Sequence, residues 1–306
     1  MLNYKVFPRR DYSSFSEVIL RSSSQDHQYA MIRDTLSAAL NIDYGAQCLV
    51  QDFRYFILYV NGRYYGIYNF REKVNKNFVA NQFNVLPQGA NVMNNRGSHL
   101  SAGSFQPMRR LKNYINSHDM SKSASYEEVS KMLNLVSFAD FWVGALFTTN
   151  NDMVNYRFAN HPAHDEGRLY TVFYDLDFAF YNVNRNYIVT DMTARTLWDG
   201  SDTIISRGLM RNKRFRQLFL ERISYGLHNQ WNRKNILDEI DRQYSLLKPE
   251  MARECRRWGG SVSHWEGAVR DLKSFVRRRQ AIMLRQVKSY FNLSNAQMRE
   301  LFGDLN

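Results

Sequence analysis

Thr148-Thr149-Asn150-Asn151-Asp152-Met153-Val154-Asn155 opens the stretch that decides how this chain is read. A strand-like run, Tyr156-Arg157-Phe158, follows, and then the connection His161-Pro162-Ala163-His164-Asp165-Glu166-Gly167. A second run, Leu169-Tyr170-Thr171-Val172-Phe173-Tyr174, ends in Asp175-Leu176-Asp177-Phe178-Ala179-Phe180. Aromatic and β-branched enrichment on both sides of Pro and Gly reads as a hairpin. A hairpin returns the chain to its start, so Asp152 and Asn155 are expected at the same end as Asp175 and Asp177. Three carboxylates and a carboxamide then share one small volume, and such a cluster repels itself unless a cation neutralises it. Oxygen-only donors suit Mg²⁺ or Mn²⁺ rather than zinc. Taken singly, Asp152 and Asp175 read equally well as turn or cap residues, and an Asp-x-Asp triplet occurs often by chance. The metal reading rests on finding both at the two ends of one hairpin.

Upstream, Ser125-Tyr126-Glu127-Glu128 has capping-box spacing and predicts one long helix to about Phe147. Leu133, Leu135, Val136, Phe138, Phe141, Trp142, Val143 and Leu146 cover most of its circumference, so it is expected to be buried and to hold Asn150-Asn151-Asp152 rigidly. Asp140, among those apolar neighbours, reads as structural. Downstream, 181–205 is irregular and 206–302 helical. One helix starts at Asn212, and another runs from Asn235 to about Leu247 and stops near Pro249. A third runs from about Trp265 to Phe291 with Val269, Leu272, Val276, Met283, Val287 and Tyr290 on one face. Arg270, Lys273, Arg277, Arg278, Arg279, Arg285 and Lys288 are assigned to its other face, which reads as solvated or as a dock for an acidic substrate or nucleic acid.

Towards the N-terminus, 4–7 and 15–21 read as strands, and a helix is expected from about Tyr29 to Leu40. The second strand ends at Arg21 beside Ser22-Ser23-Ser24-Gln25-Asp26. An Arg there is placed to hold phosphate, or to make a salt bridge with Asp26 or Asp34. Residues 53–60 and 63–70 flank Asn61-Gly62, the strongest short-range hairpin signal, and Gly66 points to a bulge or a close backbone approach. Glu72, in Arg71-Glu72-Lys73 before a short helical stretch to Asn81, reads as a helix N-terminal charge at a solvated surface. Residues 84–107 are loop-like, the expected boundary between a lobe of residues 1–90 and one of 91–306. A helix is expected over 108–117.

At 306 residues the chain can bury a sizeable core. The net charge of +12 favours an anionic partner such as nucleotide phosphate, an acidic protein, nucleic acid or an anionic envelope surface. Two cysteines, Cys48 and Cys255, make no disulfide framework. No apolar run reaches the length of a membrane span, and the first residues lack the apolar core of a signal peptide.

The segment Asn150-Asn151-Asp152, Asn155, Asp175-Leu176-Asp177-Phe178 resembles the signature of the CotH family of spore-coat protein kinases and its bacterial and fungal relatives. Similar order appears in Leu20-Arg21, Asp26, then Met31-x-Arg33-Asp34, and in Gly66-x-Tyr68-x-x-x-Glu72 leading to Asn77-Phe78. At the C-terminal end it appears in Phe215-Arg216, Pro249-Glu250-Met251, Arg257-Trp258, Trp265 and Leu272-Lys273-x-Phe275-x-x-x-Arg279. The resemblance therefore spans about residues 4 to 302. It implies an α+β, atypical protein-kinase-like two-lobe fold, with a small mainly β N-terminal lobe and a larger mainly helical C-terminal lobe. It implies ATP- and Mg²⁺- or Mn²⁺-dependent transfer of phosphate to serine of a protein substrate. By resemblance Asp152 is the catalytic residue. Asn155, Asp175 and Asp177 are metal ligands, and Arg21 and Glu72 contact the nucleotide. The Asn follows the Asp more closely here than in many family members, and no ATP lysine is assigned beyond Lys73 as a guess. Family members carry further strands before the equivalent of Tyr4, so the chain reads as a fragment lacking them. An extracytoplasmic, secreted or spore-coat location is favoured by resemblance, and nucleic acid is not an expected partner. The alternative is a degenerate kinase-fold module that binds or scaffolds an envelope or coat assembly. A metal-dependent nuclease or glycosyltransferase would suit the charge and the Asp-x-Asp, but leaves the Asp152–Asn155 element without a role.

Overall fold

Asn61 and Gly62 both take positive φ, 50° and 75°, which a tight two-residue hairpin requires. They join β5 (Phe53–Val60) to β6 (Arg63–Glu72). The computed structural model describes residues 2–152, 156–197 and 199–305. The earlier strands are β1 (Leu2–Asn3), β2 (Ser14–Phe15), β3 (Val18–Arg21) and β4 (Leu49–Val50). β3 pairs antiparallel with the other side of β6, and Arg21 lies opposite Asn69. The sheet order is β3-β6-β5. The register shifts beside Leu58, opposite Gly66, whose φ is +134°. A Cβ at Gly66 would lie 2.8 Å from Trp258 Nε1 and 2.9 Å from Glu254 Oε2. Gly66→Ala is expected to cost about 1–3 kcal/mol, from a strained backbone and this contact together. Thermal unfolding checks it, and an unchanged Tm would mean the helix end yields freely.

The second sheet has the order β4-β10-β9-β7-β8. It adds β7 (Asn91–Asn94), β8 (Leu100–Ala102), β9 (Arg157–Asn160) and β10 (Tyr170–Phe173). The expected hairpin is present as β9 antiparallel to β10, with Thr171 opposite Phe158. The stretch 84–107 is not plain loop: β7 pairs with β9 and β8 extends the edge. One side of β7 is paired with a strand far along the chain, while the other faces β8 and the Asn94 amide donates to His99 O at 3.0 Å. The tip of this hairpin ties down the segment beyond residue 198, since Lys112 Nζ reaches Asn95 O at 2.7 Å and Asp202 at 2.9 Å. β4, from within residues 1–90, runs parallel to β10. The three-stranded sheet thus lies wholly in 1–90, while β4 crosses to the second sheet.

The helices are α1 (Arg33–Asp43), α2 (Lys76–Phe83), α3 (Gln106–Ser117), α4 (Ser123–Met132), α5 (Leu135–Thr148), α6 (Ile204–Met210), α7 (Lys213–His228), α8 (Arg233–Trp258), α9 (Val262–Phe291) and α10 (Asn295–Phe302). The fold is α+β, as expected. Residues 4–7 are not a strand; Val6 and Phe7 pack with Phe15 in a small separate cluster. The single helix expected from Ser125 is two helices. Ser125 is buried inside α4 instead of capping it, and the chain breaks at Leu133–Asn134. The Asn134 amide donates to Leu169 O at 2.9 Å, and its side chain caps α5 by accepting from Ser137 N. α8 runs through Pro249 to Trp258, because Pro249 lies on an exposed face where the carbonyl it leaves unpaired can be hydrated. α5 is buried almost throughout. Gly144 lets it sit against β10, since a Cβ there would lie 2.8 Å from Phe173 Cζ. Asp140 is 0% exposed and structural, gripped by Arg222 Nε and Nη2 at 2.6 and 2.8 Å and by the Gln47 amide at 2.8 Å.

Candidate functional site

α5 and β10 end side by side, and both ends turn through left-handed residues, Thr149 at φ 48° and Asp175 at φ 64°. Asp accepts this conformation more readily than most residues. Hydrogen bonds stitch the two exits together: Asn150 Nδ2 to Asp175 O at 3.2 Å, Asn151 N to Phe178 O at 3.0 Å and Phe180 N to Thr148 O at 2.6 Å. Asn150 Oδ1 also accepts from the Asp152 amide at 3.2 Å. Asp152, Asp175 and Asp177 are therefore carried on one stitched unit. Asn155 lies outside the described residues.

Arg21 is the hub. Its guanidinium pairs with Asp175, reaches Asp177 Oδ2 at 3.4 Å, and lies 3.7 Å through Nε from Asp34 Oδ2. Asp34, at the start of α1, is paired with Arg71 of β6 and accepts from the Leu176 amide at 3.2 Å. Burial alone would raise the Asp34 pKa, but Arg71 and Arg21 outweigh it and hold the carboxyl below the usual range. Burial, with Asp175 and Asp34 close by, holds the Asp177 carboxyl above that range despite Arg21. Burial opposes the Arg21 charge, yet Asp34, Asp175 and Asp177 together raise its pKa. Of the two roles left open for Arg21, the ion pair is formed, with Asp34 and the two hairpin carboxylates and not with Asp26. Asp26 is buried and belongs to Arg33, 2.6 Å away.

A cleft of about 630 Å³ opens beside this hub, lined among others by Arg21, Arg71, Lys73, Arg157, Tyr174 and Asp175. Arg157 donates to Tyr174 Oη at 2.8 Å and to Ser101 Oγ at 3.0 Å. Lys73 is half-exposed and 2.8 Å from Glu17. Four cationic side chains around one open volume favour a polyanion such as a phosphate chain. Glu72 does not line this cleft. Neighbours on a strand point to opposite faces, so Arg71 faces the cleft and Glu72 the other side. There Glu72 is 3% exposed and held by Arg10 at 2.9 Å, by Tyr12 and by the Asp52 amide at 2.8 Å. It fixes the N-terminal segment there, on the face away from the cleft.

On the Asp152 side, Arg185 Nη1 donates to Asn151 Oδ1 at 2.7 Å, and Nη2 grips Asp191 at 2.9 and 3.0 Å. Burial, with the charges of Asp191 and Asp152, pushes the Tyr187 hydroxyl far up, which places the Asp152 charge near this segment. Arg71, Arg157, Arg185 and Asp34 were not singled out from the sequence as site residues. Arg71 has a signal there, since it alternates with Glu72. Arg157 and Arg185 depend on strand and segment pairings that are not local.

The divalent ion implied by the family resemblance can be tested against these residues. Asp175 and Asp177 converge on a single cation, the Arg21 guanidinium, so both can reach one positive centre. Among the described residues no group of three His, Cys, Asp or Glu side chains forms a metal cage. An open all-oxygen pair fits an ion completed by water and phosphate, as Mg²⁺ prefers, and does not fit a closed protein cage. Among the described residues no helix is long and apolar enough to cross a membrane.

The model of one protein family, described as CotH kinase protein, matches residues 3–283. No match is found among curated proteins.

Proposed function

The chain belongs to the CotH kinase protein family, and on that premise we propose that it transfers the γ-phosphoryl group of ATP to a serine of a coat, envelope or secreted protein. The observation that carries this reading is the Arg21 hub. It joins the Asp175 and Asp177 carboxylates at the mouth of a cleft lined by four cations, on the unit that also bears Asp152. Phosphoryl transfer asks little covalent chemistry of a protein; it asks for in-line positioning and charge neutralisation. Arg21, Lys73 and Arg157 receive the phosphates, while Arg71 adds its charge from behind as it holds Asp34. Asp175 and Asp177 would hold Mg²⁺ or Mn²⁺, with Asn155 a further candidate ligand, and the ion would supply charge neutralisation on the phosphates. Asp152 accepts the serine proton as the hydroxyl oxygen bonds to the γ-phosphorus and the bridging P–O bond to ADP breaks. Asn150 and Arg185, through Asn151, hold Asp152 in place.

Thermal unfolding with Mg²⁺ or Mn²⁺ and ATP tests the binding half. At a hundred times its dissociation constant a ligand adds about 2.7 kcal/mol to stability. That metal-dependent gain is expected in the wild type and absent in Asp175→Ala. A wild type that gains nothing would favour the alternative, a kinase-fold binding module.

A further inference from the structure

Arg21 occupies the place where a site for a metal–nucleotide complex needs its carboxylates open. Its guanidinium is paired with Asp175 and lies 3.4 Å from Asp177. It is also a lining residue of the cation-rich cleft, so one side chain faces both the carboxylates and the volume assigned to phosphate. We propose that Arg21 is an exchangeable counter-ion: it neutralises Asp175 and Asp177 when the cleft is empty, and a phosphate chain draws it off so that a divalent ion can take its place. This rests on the nucleotide reading above and adds what that reading leaves out, the coupling between the two ligands.

The physical case has three parts. First, two hairpin carboxylates and Asp34 converge here, and Asp177 already feels its neighbours, so the pair cannot stand without a cation. Second, a divalent ion arriving alone must displace a guanidinium from the buried Asp177 and the partly buried Asp175, and the displaced charge then lies beside the incoming one. Third, a phosphate chain offers that guanidinium a partner at least as good, bidentate and charge-assisted. Asp34 need not move in the exchange, because Arg71 and the Leu176 amide already hold it. The consequence is positive coupling: metal alone binds poorly, and nucleotide and metal each tighten the other by the same factor.

Free Mn²⁺, read by its electron spin resonance signal, is titrated into the full chain with and without a non-hydrolysable ATP analogue. For the wild type the analogue is expected to tighten Mn²⁺ binding about tenfold or more, within the usual range of such couplings. In Arg21→Gln, Mn²⁺ alone is expected to bind more tightly than to wild type, and the coupling, after correction for Mn²⁺ held by free analogue, to shrink to the part that direct phosphate ligation of the ion supplies. Arg21→Lys, which keeps a charge but not the fork, is expected to fall between them and serves if the Gln variant does not fold. Mn²⁺ binding to Arg21→Gln that is no tighter than to wild type would overturn the proposal, as would coupling of undiminished wild-type size in both variants. The ATP reading fails separately: if the analogue has no effect on any protein while Mn²⁺ alone still binds the Gln variant more tightly, the counter-ion stands and the nucleotide assignment falls.

Discussion

Asp152→Asn is expected to lower phosphoryl transfer by about 10²–10⁴-fold, the usual worth of a positioned proton acceptor, while the metal–nucleotide stabilisation stays at its wild-type size. The substitution is isosteric. The hydrogen bond from the Asp152 amide to Asn150 Oδ1 is untouched by the change, so this tie of the turn is expected to stay. Asp175→Ala should lose both properties, because it removes an oxygen of the ion pair that Arg21 now fills. Phosphate incorporation into an acceptor protein and thermal unfolding, measured on the same preparations, separate the two roles. Transfer that survives in Asp152→Asn would put the proton acceptor elsewhere, and loss of the nucleotide shift would make Asp152 a ligand of the ion.

The parts of this site that were legible in the sequence are those fixed by local signals. Asn61-Gly62 set a hairpin whose first strand is found over its expected bounds, Phe53–Val60. The aromatic and β-branched runs around Pro162 and Gly167 gave β9 and β10, and with them the joining of the Asn150–Asp152 turn to Asp175; the three carboxylates expected in one small volume do not form a metal-holding group among the described residues. What was not legible depends on partners far along the chain. β7 is a four-residue strand paired on one side with nearby β8 and on the other with β9, and it is the second, distant ladder that no local signal announces. The Ser125–Glu128 spacing gave a false start because Asn134 offers a better cap at a buried break. Arg21 was open between phosphate and ion pair. Which carboxylates it would find depended on where β3, pinned to β6, meets the hairpin end, and no local rule sets that. Arg279 is different, since its signal was present. Leu272, Val276, Arg279 and Met283 recur at steps of four, three and four, the spacing of an inward stripe. Residue type placed Arg279 with the solvated arginines, and spacing would have placed it inside.

Arg279→Met is expected to cost about 4 kcal/mol, lowering Tm by roughly 10 °C at the usual few degrees per kcal/mol. Arg279 is 0% exposed. It donates from Nη2 to Leu146 O at 2.5 Å, from Nε to Phe147 O at 3.2 Å and from Nη1 to Val183 O at 2.6 Å. Burial draws its pKa down to about 9, so the group stays charged at neutral pH. Replacing a buried ion pair by apolar residues is often neutral, because both charges leave together. Here the partners are backbone carbonyls, which remain. Two of them belong to the last turn of α5, where the helix itself supplies no donors, and Met leaves them buried without partners. The same guanidinium joins the end of α5, which delivers Asn150-Asn151-Asp152, to Val183, which follows Asp175-Leu176-Asp177. Both arms of the candidate site therefore hang from one side chain of α9. Arg279→Lys keeps the charge but reaches as a single point and is expected to recover only part of the loss. At a temperature where each variant is still folded, kcat should fall with little change in KM, since Asp152 shifts while the cleft cations stay in place. A wild-type Tm in Arg279→Met would mean that water reaches the three carbonyls. A wild-type kcat would mean that the Asn150 and Arg185 contacts alone suffice to hold Asp152.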